Sequence, residues 1–422
     1  MPEKQRTILV FADWQDLPQE TLLGILTATQ LRGKEIFSFA YDKQWLKSAD
    51  NTIYPLDPDL QFYAGHQYLN DEKGNFGMFM DSSPDRWGRL LMRRREAAMA
   101  RMENRKETAL FETDYLLGVY DEHRMGAIRF KTEEEGVFLN DNKAMAAPPF
   151  TSLRELEQAS LHLEKEDSMD DPDYLKWLNM LMAPGSSLGG ARPKASVLDP
   201  NNHLWIAKFP SNYDDRDVGA WEMVVHELAH KAGITMADAM IQKLGSRHHT
   251  FITKRFDRTD HNKRIHFASA MTLLGYADGT DHHDGVSYLH LAEFISRNGA
   301  NIEADLEQLW RRIVFNICVT NTDDHLRNHG FLLTNRGWTL SPAYDLNPIE
   351  TGTGLKLNIS ENDNALDVAL ALSVAPYFRL KGNKANEIAT EVQQVVAQWQ
   401  TVATNYKIGK AEQARMARAF SK

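Results

Sequence analysis

The stretch FNICVTNTDDHLRNHGFLL, residues 315–333, decides how this chain is to be read. It is the apolar end of a helix, a polar burst, and an apolar strand. The burst holds Asp323, Asp324, His325, Arg327 and Asn328. Next, WTLSPAYDLNP (338–348) brings Asp345 behind a second strand, 17 residues after Asn328. Phosphoryl transfer needs a carboxylate to take the proton of a substrate hydroxyl, an amide oxygen for one magnesium ion, and a second carboxylate bridging the metals. The spacing D-x-x-x-x-N, a short hairpin, then D supplies that set. Asp-rich loops are ordinarily turns, and His325 with His329 would also suit a metal pair. Two nearly buried strands flanking a clutch of acids call for cations, however, and hard oxygen ligands favour magnesium.

Upstream, GSSLGGARPKAS (185–196) combines three glycines with serines and a lysine ahead of a strand. Glycines let backbone N–H groups approach a phosphate, and Arg192 and Lys194 add charge. The pattern matches neither of the standard phosphate-loop signatures, so taken alone it reads first as a plain loop. The next strand, LWIAKFPS (204–211), places Lys208 among apolar residues, where it either faces solvent or meets an anion. The helix after it offers Glu222 as the ion-pair partner of Lys208. Glycine loop, strand lysine and helix glutamate are the parts of a nucleotide-binding small lobe.

That same helix contains HELAH (226–230), the pattern of a zinc-protease helix. The third ligand is missing: the extended motif keeps Gly233 but reaches Met236 where a histidine belongs, and 237–256 offers no acid except Asp238. Two ligands do not make a catalytic zinc site. The zinc metalloprotease is therefore the weakest alternative.

Composition sets the frame. With 422 residues, two or three domains are expected, and the net charge of −10 argues against a surface that grips nucleic acid throughout. One local exception is RWGRLLMRRREAAMARMENRKE (86–107), either a solvated helix face or a contact for phosphate or an acidic partner. No apolar run approaches a membrane span, and the N-terminus does not read as a signal peptide. The single cysteine, Cys318, excludes an internal disulfide and fits a cytoplasmic location. RTILVFADW and KEIFSFAYDKQWL read as strands, and 86–102 as a helix with Pro84 before it and Asp85 near its cap. IATEVQQVVAQWQTVATNY spaces Ile388, Val392, Val395, Trp399, Val402 and Tyr406 by fours and threes, as one amphipathic helix does. An acidic then Ala/Pro-rich segment places a domain boundary near residue 150.

In their order and intervals, SSLGGARPKA, AKFP, KRFDR, TNTDDHLRNHGF and SPAYDLNP resemble the HipA family. These are serine/threonine kinases acting as toxins of bacterial toxin–antitoxin modules. FSFAYDKQWL, SSPDRWGRLLMRRRE and LLGVYDEHRMGAIRF resemble that family's first domain, so the likeness runs over roughly 5–405. It implies an α+β protein: an N-terminal mixed α/β domain (1–150), then a protein-kinase-like bilobal domain (151–422) with a small lobe to about 258 and a mainly helical large lobe. It implies ATP and Mg2+ as cofactors, Asp323 as catalytic base, Asn328 and Asp345 as metal ligands, and Lys208 on the ATP phosphates. The nucleotide set would comprise Ser187, Gly189, Gly190, Ala191, Lys194, Lys208, Phe256, His325, Arg327, Asn328 and Asp345. Lys254 departs from the acid of the best-known member near the adenine segment. Ser187, or its neighbour Ser186, falls where the family autophosphorylates and so switches itself off. The implied partners are a small dimeric helix-turn-helix antitoxin of the HipB kind, operator DNA through that complex, and a protein substrate, the family including members that act on aminoacyl-tRNA synthetases. The alternative within the same fold is a catalytically silent module that binds antitoxin and operator.

Overall fold

The 11-residue run Thr21–Leu31 buries residues toward both faces, a pattern that suits the centre of a sheet rather than its edge. In the computed structural model, which describes residues 4–48, 54–69, 73–165, 168–182 and 192–421, it is the middle of five antiparallel strands. Numbered along the chain these are β1 (Lys4–Ala12), β2 (Thr21–Leu31), β3 (Lys34–Tyr41), β4 (Gln67–Tyr68) and β5 (Ile128–Lys131), in the spatial order β4-β3-β2-β1-β5. Gly24 lies where β2 crosses the Phe39 ring: a Cβ there would stand 2.4 Å from the Ala40 carbonyl oxygen and 2.5 Å from that ring. Phe39, Phe79 and Phe130 form a chain of ring contacts at 5.7 and 5.9 Å beneath the sheet.

The chain divides into two compact units, Met1–Asn212 with Asp257–Ala268, and Tyr213–Phe256 with Ser269–Lys422. In the first, Asp85 caps the helix Arg86–Met102 by accepting the Gly88 amide at 2.8 Å, as the sequence led one to expect. Several arginines in and just after that helix are bonded internally. Arg89 grips Glu112 with both terminal nitrogens (2.6 and 2.7 Å), Arg94 donates to the Leu163 carbonyl, Arg95 to Asn179, and Arg105 pairs with Glu96. Arg124 is fully buried. Its two terminal nitrogens donate to the carbonyls of Ser82, Leu116, Val119 and Leu139 at 2.8–3.1 Å. Three segments thus converge on one guanidinium, whose pKa burial pushes down to about 9, still charged at neutral pH.

Asp57 is a second buried charge of this unit, 1% exposed and accepting the amides of Met78 and Asp59. Burial outweighs those bonds and raises its pKa from 3.8 to about 6. A carboxyl raised on folding stabilises fully below its unfolded pKa and loses that contribution as pH rises through the folded one. Between pH 3.8 and about 6 the wild type should therefore lose stability relative to Asp57→Asn, by about 3 kcal/mol in all. Urea unfolding of both proteins across that range measures it; a constant difference between them would show that Asp57 does not titrate this way.

The first unit ends with two helices, Leu153–Leu163 and Tyr174–Met182, and the hairpin β6 (Lys194–Leu198) and β7 (Leu204–Lys208). The second contains the hairpin β8 (Ala239–Gln242) and β9 (Thr250–Lys254), the helix Val218–Lys231, and a helical bulk around Ile302–Cys318. The amphipathic run near the C-terminus is not one helix. It breaks at Ala397–Gln398 into Lys384–Val396 and Trp399–Asn405, burying Val396 in place of Val395. The break lets Trp399 lie flat on Phe420, centroids 4.6 Å apart and 10° from parallel. Mixed α/β architecture is as expected. The boundary near residue 150 and the lobe division near 258 remain proposals. Among the described residues no helix is long and apolar enough to cross a membrane.

Candidate active site

The helix Ile302–Cys318 is apolar through 313-IVFNICV-319 apart from one residue, Asn316, which is 1% exposed. A buried amide in such a run must find partners. Asn316 Oδ1 accepts from Asn321 Nδ2 (3.1 Å), and its own Nδ2 donates to Asp324 Oδ2 (2.7 Å). Both partners lie in the loop that follows, so the helix end dictates the loop's path. Thr320 turns the chain at φ +52°, unusual for a β-branched residue, and its hydroxyl is held on the Ala419 carbonyl at 2.8 Å.

The adjacent aspartates then part company. Asp324 is 1% exposed and accepts from Tyr288 Oη, Asn316 Nδ2 and His329 Nε2 (2.9 Å). Burial, with the charge of Asp324, drives the Tyr288 phenol pKa well up. Asp323 is exposed, and among the described residues none forms an ion pair with its carboxylate. Its backbone carbonyl accepts Asn328 Nδ2 at 3.1 Å, which leaves Asn328 Oδ1 buried and with no hydrogen-bond partner. A buried amide oxygen with its lone pairs unused is what a hard cation would take up, so the donor set fits magnesium.

Asp345 follows the hairpin Gly330–Thr334/Gly337–Leu340 and sits at φ +58°. Its neighbour Asn347 takes its amide to Asn321 Oδ1 (3.4 Å), joining this segment to the loop of Asp323. His325 senses the whole group: burial and Arg327 lower its pKa against the pull of Asp323, Asp345 and Asp324. The structure thus brings Asp323, His325, Arg327, Asn328 and Asp345 together in the second unit. Arg327 is shared with Asp278 (3.3 Å), and its carbonyl accepts the Tyr344 hydroxyl at 2.6 Å. Phe256 lies against the Tyr344 ring, centroids 5.6 Å apart.

The first unit holds the two lysines, directly opposite one another in the β6–β7 register. Lys208 is 7% exposed, which disposes of the solvent-facing reading. Lys194 is 2% exposed, with its ammonium 2.6 Å from Asp85, the residue that caps Arg86–Met102. Trp87 Nε1 donates to the Lys194 carbonyl at 3.1 Å, so the start of β6 is clasped to that helix twice. A phosphate role for Lys194 has to contend with this pairing. Glu222 is buried at 3% in the helix Val218–Lys231; its pairing with Lys208 stays a proposal. Ser186, Ser187, Gly189, Gly190 and Ala191 lie outside the described residues.

In the same helix, His226 Nε2 is on the Ala237 carbonyl at 2.8 Å, and Glu227 takes Lys231 (2.6 Å) and the Tyr406 hydroxyl (2.7 Å). His226 and Glu227 are thus bonded elsewhere, which gives the HELAH match a structural explanation. His226→Ala with His230→Ala is expected to leave any phosphoryl transfer within about twofold of wild type. Loss of activity together with one equivalent of zinc would return the protease reading.

Asp324, Tyr288 and Asn316 were not foreseen as parts of this site. The signal that would have found them is the lone amide in an apolar helix.

Residues 186–399, half of the chain, match the family described as HipA-like C-terminal domain. The chain belongs to the HipA-like family. A protein of Haemophilus influenzae described as "Putative kinase" is 26% identical to this HipA-like chain over 179 residues, 38% of the chain and 52% of that protein. The chain thus matches about half the length of that relative. Among solved structures, a chain of the Shewanella oneidensis toxin–antitoxin complex of HipA, HipB and operator DNA is 18% identical with a TM-score of 0.65, covering 98% of this chain and 95% of that one. At that identity the likeness concerns the fold, and it extends to nearly the whole HipA-like chain.

Proposed function

We propose that this chain is an ATP- and magnesium-dependent protein kinase that phosphorylates serine or threonine, and that it is the toxin of a toxin–antitoxin pair. The observation that carries the reading is the exposed Asp323 carboxylate beside the buried, unpartnered Oδ1 of Asn328, in a chain of the HipA-like family. Asp323 accepts the proton of the substrate hydroxyl as it attacks. It is suited to this because the neighbouring Asp324, not Asp323, carries the loop's structural bonds. Asn328 and Asp345 hold magnesium, Asn328 being pre-aimed by its bond to the Asp323 carbonyl. Bound ATP would supply the γ-phosphoryl group, with ADP as the leaving group, and magnesium the counter-charge for the transfer. Lys208 is assigned the phosphate contact, with Glu222 its partner, and Phe256 the adenine side. Autophosphorylation at Ser187, or at Ser186, lowers ATP affinity and acts as the off switch.

HipB and operator DNA accompany HipA in the Shewanella complex. A dimeric helix-turn-helix antitoxin and, through it, operator DNA are the corresponding partners here. The internal bonding of Arg89, Arg94 and Arg95 supports a structural role for that helix over direct DNA contact. The test is incubation with [γ-32P]ATP followed by acid hydrolysis and phosphoamino-acid separation. Label on serine or threonine, lost with chelator, is expected. Label no stronger than in Asp323→Gln would leave only the silent binding module.

A further inference from the structure

Three consecutive residues of the second unit carry chemistry that the proposed kinase does not use. Asp281, His282 and His283 occupy a short helical turn, and one ligand atom from each lies within 4.8 Å of the other two. Among the described residues no other group of three His, Cys, Asp or Glu side chains meets that condition.

The turn is held from all sides. Asp281 Oδ1 accepts the His283 amide (2.9 Å), and Asp284 Oδ2 accepts the Asp281 amide (3.0 Å). The His282 amide donates to the Lys356 carbonyl (2.9 Å), and the His282 carbonyl accepts Asn358 Nδ2 (3.0 Å). Gly285, at φ +76°, closes the turn in a conformation that suits glycine. The imidazoles lie one against the other, centroids 3.9 Å apart.

A second observation points to a ligand. His282 Nδ1 is shut off from solvent and has no hydrogen-bond partner, although Asp281 Oδ1 stands only 3.7 Å away. That separation is too long for a hydrogen bond. It is close to the roughly 3.4 Å between two ligands that share one tetrahedral ion at about 2.1 Å.

We propose that this turn binds a divalent transition ion of the Zn2+, Ni2+ or Cu2+ kind. The Asp281 carboxylate, His282 Nδ1 and the His283 ring are the protein ligands, and water completes the shell. Two imidazoles with one carboxylate select such ions over Mg2+, which prefers oxygen ligands throughout. Without the ion, Lys356 Nζ, 2.9 Å from Asp281 Oδ2, is the cation that faces the carboxylate. Metal and lysine therefore compete for Asp281, and removing the lysine should favour the metal.

The test is calorimetric titration of the tag-free chain with ZnCl2 in millimolar MgCl2. One equivalent should bind with a Kd in the roughly micromolar range. His282→Ala and His283→Ala should each weaken binding by about 10-fold or more, and Lys356→Gln should tighten it. His226→Ala with His230→Ala should change nothing, which separates this turn from the other histidine pair. All the variants alter part-exposed or exposed side chains, and circular dichroism of the titrated samples checks the fold. No bound equivalent, equal affinity in the His282 and His283 variants, or displacement by magnesium would overturn the site. None of these readings depends on kinase activity.

Discussion

Asp323→Gln should abolish self-labelling and substrate labelling, a fall of about 10^2- to 10^4-fold, while the unfolding midpoint stays within about 2 °C of wild type. The neighbouring change, Asp324→Leu, should do the reverse in its primary effect. It removes no group from the proposed chemistry, but it leaves Tyr288 Oη, Asn316 Nδ2 and His329 Nε2 buried without an acceptor. It also withdraws a carboxylate charge that favours the cation of Arg312, which is 3% exposed. At about 1–3 kcal/mol for each stranded donor, a loss of at least 3 kcal/mol is expected. Two substitutions one residue apart thus separate chemistry from scaffold. Urea unfolding and [γ-32P]ATP labelling on both proteins decide it. If Asp323→Gln destabilised the chain as much as Asp324→Leu, or still labelled at the wild-type rate, the division of labour would be wrong.

Arg124→Met should be the most damaging single change in the first unit. Two effects oppose each other. The thioether spares the protein the desolvation of a buried cation, and replacing a buried ion pair by apolar residues of similar volume is often neutral. Here, however, the partners include four backbone carbonyls, which a substitution cannot remove. The Val119 carbonyl keeps the Asn140 amide, but taking this donor from the other three, at about 1–3 kcal/mol each, outweighs the saving, and a net loss of about 3 kcal/mol is expected. Arg124→Lys should recover only part of it, because one ammonium has three N–H groups and no planar fork. Stabilities of the three proteins in that order are the expected outcome. A methionine variant as stable as wild type would mean that the carbonyls find other donors.

Local signals in the sequence were read correctly. The Asp85 cap, the strand of Lys208 and the hairpin between Asn328 and Asp345 each depend on residues a few positions apart. The candidate site was legible for the same reason, since five of its side chains fall within 323–345. What escaped depends on distant residues. Nothing near Lys194 announces that its ammonium will meet Asp85, 109 positions earlier. Nothing in the pair Asp323–Asp324 says which one turns inward, because the decision is made by Tyr288 and Asn316. The strand Thr21–Leu31 was passed over because burial on both faces removes the alternation by which strands are found. The helix read across Ala397–Gln398 kept a helical period that the packing of Trp399 on Phe420 interrupts.

Cys318 is the last residue of the helix that leads into the Asp323 loop, and it is the chain's only thiol. It is 1% exposed, and burial pushes its pKa to about 12. In the native state it will be almost inert to alkylating reagents, which attack the thiolate. Modification therefore becomes a clock for the opening of that helix, with no engineering of the chain. It also means that a cysteine introduced at an exposed position, Tyr213 for instance, would be the sole reactive handle for a dye or spin label.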